Sequence, residues 1–248
     1  MKLFYIITCL LVVSTNARLL GNRGSGNGGR GGGRGGQGAG AAQGGATQGG
    51  SQGGGSVQGG GRGNAGANRG SGLTAGMDVK MEDLDAAESE DLLFMREEEK
   101  LARDVYVTLY KKWGNPTFDN ISEAENWHMQ RMLDMIKLYG LTDPITTDTT
   151  GVFQNSDLQA LYDELVAKGS VSLEDALMVG AAIEEIDIDD LQKAIEKTDE
   201  ETLKNAYGNL RNGSKNHLRA FVRQLNRLGV DYEAQHLSDT EVKAILGN

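Results

Sequence analysis

From Asp83 onward, apolar residues recur in steps of three and four, the spacing that keeps side chains on one face of a helix. Four segments carry such a seam. The first runs Leu92, Met95, Glu99, Ala102, Tyr106, Leu109, Trp113, and the second Ile121, Glu125, His128, Met132, Met135, Tyr139. The third runs Leu173, Leu177, Gly180, Glu184, Asp187, Leu191, and the fourth Leu203, Tyr207, Leu210, Ser214, His217, Phe221, Leu225, Leu228. Four amphipathic helices of about 20–30 residues with narrow seams predict an all-α fold, a four-helix bundle.

Punctuation supports the same division. Gly114-Asn115-Pro116 stops the first helix, Asn120 with Glu123 is the expected cap of the second, and Gly140 closes it. Ser172 is the expected cap of the third helix, and Thr198 with Glu201 forms a capping box before the fourth. The link from Gly140 to Ser172 is long and holds a short helix, Ser156 to Lys168, so the second and third long helices are joined by a crossover. Ser238 is placed to cap a last short helix ending near Leu246. On this division the loop Gly114–Asp119 climbs about 12 Å to bring Glu99 and Glu125 level, which six residues can span.

The middle of each seam is occupied by groups that an ordinary bundle would replace with Leu or Ile: Glu99, Glu125, His128, Glu184, Asp187 and His217. A buried carboxylate without a partner costs several kcal/mol. Four facing one another need cations, and two divalent metal ions held by carboxylates and imidazoles meet that need. Glu125-x-x-His128 has the spacing found in di-iron carboxylate bundles, both side chains lying on one face. Alternatives stand beside each ligand. Glu97-Glu98-Glu99 reads otherwise as a solvated charge run, Glu125 as the partner of a Ser122 cap, and Glu184 competes with Glu185 on register. His217 taken singly reads as a core histidine, and His236 lies off the seams and is given no role.

Composition divides the chain. Of 36 glycines, 27 precede Met77, where there are seven Lys or Arg and no Asp or Glu; residues 77–248 hold 18 basic and 35 acidic side chains, a charge of −17. Lys2, the apolar run Leu3–Val13 and the small residues ending at Ala17 predict a secretory signal peptide over residues 1–17. The run is too short for a membrane span, which takes about 20 residues. Secretion to the extracellular space is therefore expected. The single cysteine, Cys9, lies in that segment, so the mature chain has no disulfide and must rely on packing or metal.

Residues 18–76 offer almost nothing to bury and are expected to be disordered. Their six arginines suit a polyanion, a matrix or a mineral surface; nucleic acid is disfavoured by the expected export. The folded domain is assigned to residues 77–248.

Beyond the seams, the chain resembles the DUF2202 family of ferritin-like domains from about Leu92 to Leu228. The motifs are Glu97-Glu98-Glu99-Lys100-Leu101-Ala102-Arg103-Asp104, Asn120-Ile121 leading to Ala124-Glu125 and His128-Met129, and Gly151-Val152-Phe153. Leu158-Gln159-Ala160-Leu161-Tyr162, Ile183-Glu184-Glu185 to Leu191, and Ser214 through Asn216-His217-Leu218-Arg219-Ala220-Phe221 continue it. The ferritin and rubrerythrin group implies a di-iron centre with Glu99, Glu125, His128, Glu184 and His217 at the matching positions. One departure stands out: Ser214 occupies the place of the fourth-helix Glu, and Asp187, one turn after Glu184, is the candidate to supply that carboxylate.

Two functions follow. One is an oxidase-type centre in which bound iron reacts with dioxygen or peroxide, zinc or manganese being alternative metals, with Tyr106 or Tyr207 supporting the ligands. The other is a non-enzymatic matrix or biomineral protein in which the bundle is structural and the Gly/Arg segment mediates adhesion. No Asp-x-Asp is followed by the further Asp or Asn and the Gly of a calcium loop, and nothing signals hydrolysis.

Overall fold

The computed structural model describes residues 83–247; the proposed signal peptide and Gly/Arg segment lie outside them. The described residues are all-helical, and none of their helices is long and apolar enough to cross a membrane. Four long helices, α1 (Ala86–Trp113), α2 (Pro116–Leu138), α4 (Leu173–Lys197) and α5 (Glu201–Arg227), form the bundle. A short α3 (Ser156–Gly169) sits on the crossover and α6 (Asp239–Leu246) ends the chain. α1 packs along α2 and α4 along α5, and the two hairpins meet through α1–α4 and α2–α5.

Several caps fall where the sequence puts them. Ser172 accepts from the Asp175 N–H, and Ser238 forms a capping box with Glu241. Gly114 ends α1 at φ +63°, a left-handed turn that glycine adopts without a Cβ clash. Two caps differ. α2 starts at Pro116 with Asn115 as its cap, because proline is preset for the first helical position and Asn115 can accept from the Thr117 N–H. Asn120 is thus inside the helix, and the link between α1 and α2 shrinks to Gly114-Asn115. Lengthening α2 lifts Glu125 about 14 Å from its start, so the offset from Glu99, about 21 Å from the end of α1, shrinks from about 12 Å to about 7 Å. At α5 the cap is Glu200, without a side-chain bond; Thr198 instead donates to Glu88 Oε1 and accepts from the Glu200 N–H.

The interior is layered. Leu92, Met95, Met132, Met135, Ile136, Leu191, Leu203, Tyr207 and Leu210 form one apolar cluster. Ala102, Tyr106, Phe118, Ile121, Leu177, Leu218 and Phe221 belong to a larger second one. In α1, α2 and α5 the seam carboxylates and histidines fall between these two clusters, and in α4 Glu184 and Asp187 fall between the seam residues Leu177 of the second and Leu191 of the first. Tyr106, Phe118 and Phe221 pack their rings at 5.3–6.3 Å on the second side, and Gly180 makes room for Phe221, whose ring lies 2.5 Å from where a Cβ would stand.

The crossover is tied down by buried charge. Asp104, wholly buried, accepts from Lys100 Nζ at 2.5 Å, from Arg103 Nη2 at 2.7 Å and from the Gly151 N–H at 2.9 Å. Lys100 also donates to the Thr149 and Val152 carbonyls, each at 3.2 Å. A buried ion pair breaks roughly even only when its remaining polar atoms are satisfied, and here loop backbone satisfies them.

Candidate metal centre

Each long helix sends side chains into the layer between the two apolar clusters. Glu99 comes from α1, Glu125 and His128 from α2, Glu184 and Asp187 from α4, and Ser214 and His217 from α5. The three glutamates are at most 2% exposed.

Glu125 lies at the middle. Its Oε2 stands 2.7 Å from His128 Nδ1, and its Oε1 stands 2.9 Å from His217 Nδ1. On one side His128 Nδ1 is also 3.2 Å from Glu99 Oε2; on the other, His217 Nδ1 is 3.4 Å from Glu184 Oε2. The two imidazoles lie 5.4 Å apart, centroid to centroid. Two sets of three convergent donors result, Glu99–Glu125–His128 and Glu125–Glu184–His217, the ligand atoms of each within 4.8 Å of one another. Glu125 belongs to both.

Asp187 is in neither set but faces the same layer. Its Oδ2 accepts from Ser214 Oγ, and its Oδ1 is buried without a hydrogen-bond partner. Ser214 thus occupies little of the space beside α4, and Asp187 reaches it from there. Tyr106 donates its hydroxyl to Glu184 Oε1 at 2.6 Å. Tyr207, the other candidate for support, lies in the first cluster instead, where burial and then the charges of Asp91 and Glu88 raise its hydroxyl above its ordinary value.

The carboxylates and imidazoles distort one another's protonation. Burial, then the charge of Asp187, hold Glu99 well above the usual carboxylate range. Burial and Glu184 push Asp187 up to about 7. Burial raises Glu184 too, with His217 opposing and Glu125 assisting. Glu125 is also buried, but the two histidines overcome that and hold it below its ordinary value. Burial would lower both histidines; Glu99 and Glu125 instead raise His128 to about 12, and Glu184 and Glu125 raise His217 to about 10. Without a cation, protons take up the negative charge of the layer.

Other residues sort themselves by contact. Glu185, the rival of Glu184, is buried on the far side of α4, where it accepts from Tyr232 Oη and from the N–H groups of Gln235, His236 and Leu237. His236 stands with its Nε2 2.7 Å from Asp189 Oδ2. Ser122 donates to the Asp119 carbonyl, so it is not a cap and Glu125 is not its partner. Gly213 was not expected to matter. A Cβ there would lie 2.5 Å from His128 Nε2, so α5 lacks a side chain where the imidazole needs the space. Its one signal in sequence is a glycine within an otherwise regular helix, next to Ser214.

Residues 88–248 match the model of an uncharacterized protein domain, DUF2202. The chain belongs to this family. Uncharacterized protein MJ0754 of Methanocaldococcus jannaschii is 50% identical over 161 residues, which are 65% of this chain and 87% of that protein. The crystal structure of hypothetical protein MJ0754 from Methanococcus jannaschii superposes with a TM-score of 0.66 at 48% identity, covering 67% of this chain and 95% of that one. The DUF2202 domain here thus comprises the bundle and its metal-ligand-like layer.

Proposed function

We propose that this DUF2202 domain is a ferritin-like di-metal protein, with iron as its metal, in which Glu99, Glu125 and His128 hold one ion and Glu125, Glu184 and His217 the other. The observation that carries this reading is the position of Glu125, one oxygen toward each histidine. Ligands about 2.1 Å from a shared octahedral ion stand about 3.0 Å apart, and the four histidine–carboxylate separations of 2.7–3.4 Å bracket that value, all ligand atoms of a set lying within 4.8 Å. His217 Nδ1 and Glu125 Oε1 stand at ion-pair distance, 2.9 Å, without hydrogen-bond geometry, and Glu99 Oε1 is a further buried atom without a hydrogen-bond partner. Buried polar atoms left short of hydrogen bonds are costly for a polar core and natural for a ligand set.

Charge points the same way. Glu99, Glu125, Glu184 and Asp187 supply four negative charges, which two divalent ions neutralise with both imidazoles uncharged. Asp187 takes the part of the missing fourth-helix carboxylate, held by Ser214. Oxygen-rich donors with one imidazole per ion suit iron or manganese better than the sulfur-rich, closed shells of structural zinc. With iron bound, the pair supplies oxidase-type chemistry toward dioxygen or peroxide. The chain's own residues hold the ions, exclude water through the flanking apolar clusters and, through Tyr106, orient Glu184.

Export rests on residues 1–17, and a matrix or mineral role for residues 18–76 rests on their composition. The test of the metal reading is metal analysis of the purified chain, then addition of iron(II) in air with visible absorption recorded. Oxidation no faster than in buffer removes the oxidase reading while leaving the metal site.

A further inference from the structure

The acidic residues of the described domain are not evenly spread. From Thr202 to Val230 there is no Asp or Glu, although residues 83–247 contain 33 acidic and 17 basic side chains. That acid-free stretch is most of α5, and it contains Lys204, Arg211, Lys215, Arg219, Arg223 and Arg227. The last five repeat every fourth residue, so their Cα atoms climb about 6 Å and turn about 40° per step, which centres the outward face on Arg219, Arg223 and Arg227 and carries Arg211 to its flank. His217 and Ser214 belong to the opposite, inward face.

Among the described residues, none of these five makes an ion pair, whereas Lys204 pairs with Glu201 at 2.9 Å. Arg219 donates to the Ile245 carbonyl and to Asn216 Oδ1, which fix the guanidinium without neutralising it. Arg211 Nε is buried and has no partner. Arg223 and Arg227 are exposed. Between the cations stand exposed amides: Asn205, Asn209, Asn212, Asn216 and Asn226.

We infer that the outer face of α5 is a docking surface for a sulfated polysaccharide. Unpaired arginines at regular spacing match a linear array of sulfate groups, for which the planar guanidinium is the natural partner. The asparagines offer paired donors and acceptors to sugar hydroxyls. Single-stranded nucleic acid fits less well, because the aromatic side chains of α5, Tyr207 and Phe221, are buried and leave no ring for a base to stack on. A protein partner fits less well again, because the exposed apolar side chain beside the face, Leu228, stands past its end and not among the cations. The surrounding negative charge confines the ligand to this one helix and makes binding sensitive to salt.

The test uses the full chain, immobilised heparin as the probe, and the Arg223→Ser/Arg227→Ser variant, whose changes are solvent-exposed. The amino-terminal arginines are present in every protein compared, so they cancel. Heparin affinity falls roughly tenfold in the variant with a shallower salt dependence, falls further in Arg223→Glu/Arg227→Glu, and is unchanged in Lys111→Ser/Lys137→Ser, which removes two exposed cations elsewhere. Helical circular dichroism checks that each variant is folded. Equal heparin binding by the parent and both arginine variants overturns the inference. So does tighter binding to a single-stranded oligonucleotide of matching charge than to heparin.

Discussion

Ser214 donates its hydroxyl to Asp187 across the interface between α4 and α5. Ser214 Oγ also lies 3.0 Å from the Leu210 carbonyl one turn back, so its single proton has two acceptors within reach, one on each helix. A fourth-helix carboxylate and a carboxylate from the neighbouring helix are thereby interchangeable in principle, since both reach the same layer. Asp187→Asn is expected to reduce metal content to about one ion per chain, because three carboxylates leave one positive charge of the ion pair buried and unbalanced. Asp187→Ser combined with Ser214→Glu is expected to restore two. Metal analysis of both variants after iron(II) loading measures the exchange, and a double variant no better than Asp187→Asn would count against it.

Protonation links the same residues to pH. His128 and His217, raised to about 12 and about 10, are imidazolium at neutral pH in the metal-free protein. Ligation requires neutral imidazoles, so loading at pH 7 should release at least two protons per chain, and apparent affinity should weaken as pH falls. Stopped-flow with a pH indicator in weak buffer reads the release directly. No released protons would mean the histidines are not ligands.

Metal-free stability has its own sign. Asp187 titrates near 7 in the folded protein and near 4 when unfolded. The folded state therefore retains a proton that the unfolded state loses, a cost absent below about pH 4, growing through that window and complete above about pH 7. The raised histidines act differently: their contribution is fully present below about 6.5 and lost only as pH rises through about 10 to 12. Urea unfolding of the metal-free chain should thus show stability declining between pH 4 and 7; Glu99 and Glu184, also raised by burial, add to the decline, so Asp187→Asn should lessen it without abolishing it.

Tyr106 meets Glu184 through a single 2.6 Å hydrogen bond in a fully buried setting. Tyr106→Phe keeps the ring against Phe118 and Phe221 and leaves Glu184 Oε1 without that donor. The expected loss is about 1–3 kcal/mol in the metal-free protein, and smaller once metal satisfies the carboxylate. Denaturant unfolding with and without metal separates the two; an equal loss in both would place the role of Tyr106 in packing alone.

Gly213 gives a steric test. Alanine there would put a methyl carbon 2.5 Å from His128 Nε2, so the ring must move. Gly213→Ala is otherwise favourable in a helix, by about 1 kcal/mol. Metal affinity should fall while helix content and metal-free stability hold, as measured by titration and circular dichroism.

Much of this arrangement is legible in sequence because helical periodicity is a local signal. The seams of all four long helices place Glu99, Glu125, His128, Glu184, Asp187 and His217 inward, and the structure brings them into one layer. Glu184 and Glu185 show where periodicity stops being enough. Both are buried, and only the return of the chain through Tyr232 and residues 235–237 distinguishes the clasp around Glu185 from the layer around Glu184. The Lys100–Asp104 tie to the crossover was hidden for the same reason: its partners lie about fifty residues away, and a charge on a helix looks solvated until something covers it. At the start of α2 two local signals competed. Asn115-Pro116 won over Asn120, because proline at the first helical position loses no hydrogen bond.

The central claim is that Glu125 is shared by two metal ions. It is tested most directly by counting metal in the purified full chain after anaerobic iron(II) loading and gel filtration, beside the Glu125→Ala/His128→Ala variant. Two ions per chain, falling to none in the variant, is the predicted result. Less than one ion in the parent, or the same content in both proteins, would contradict it.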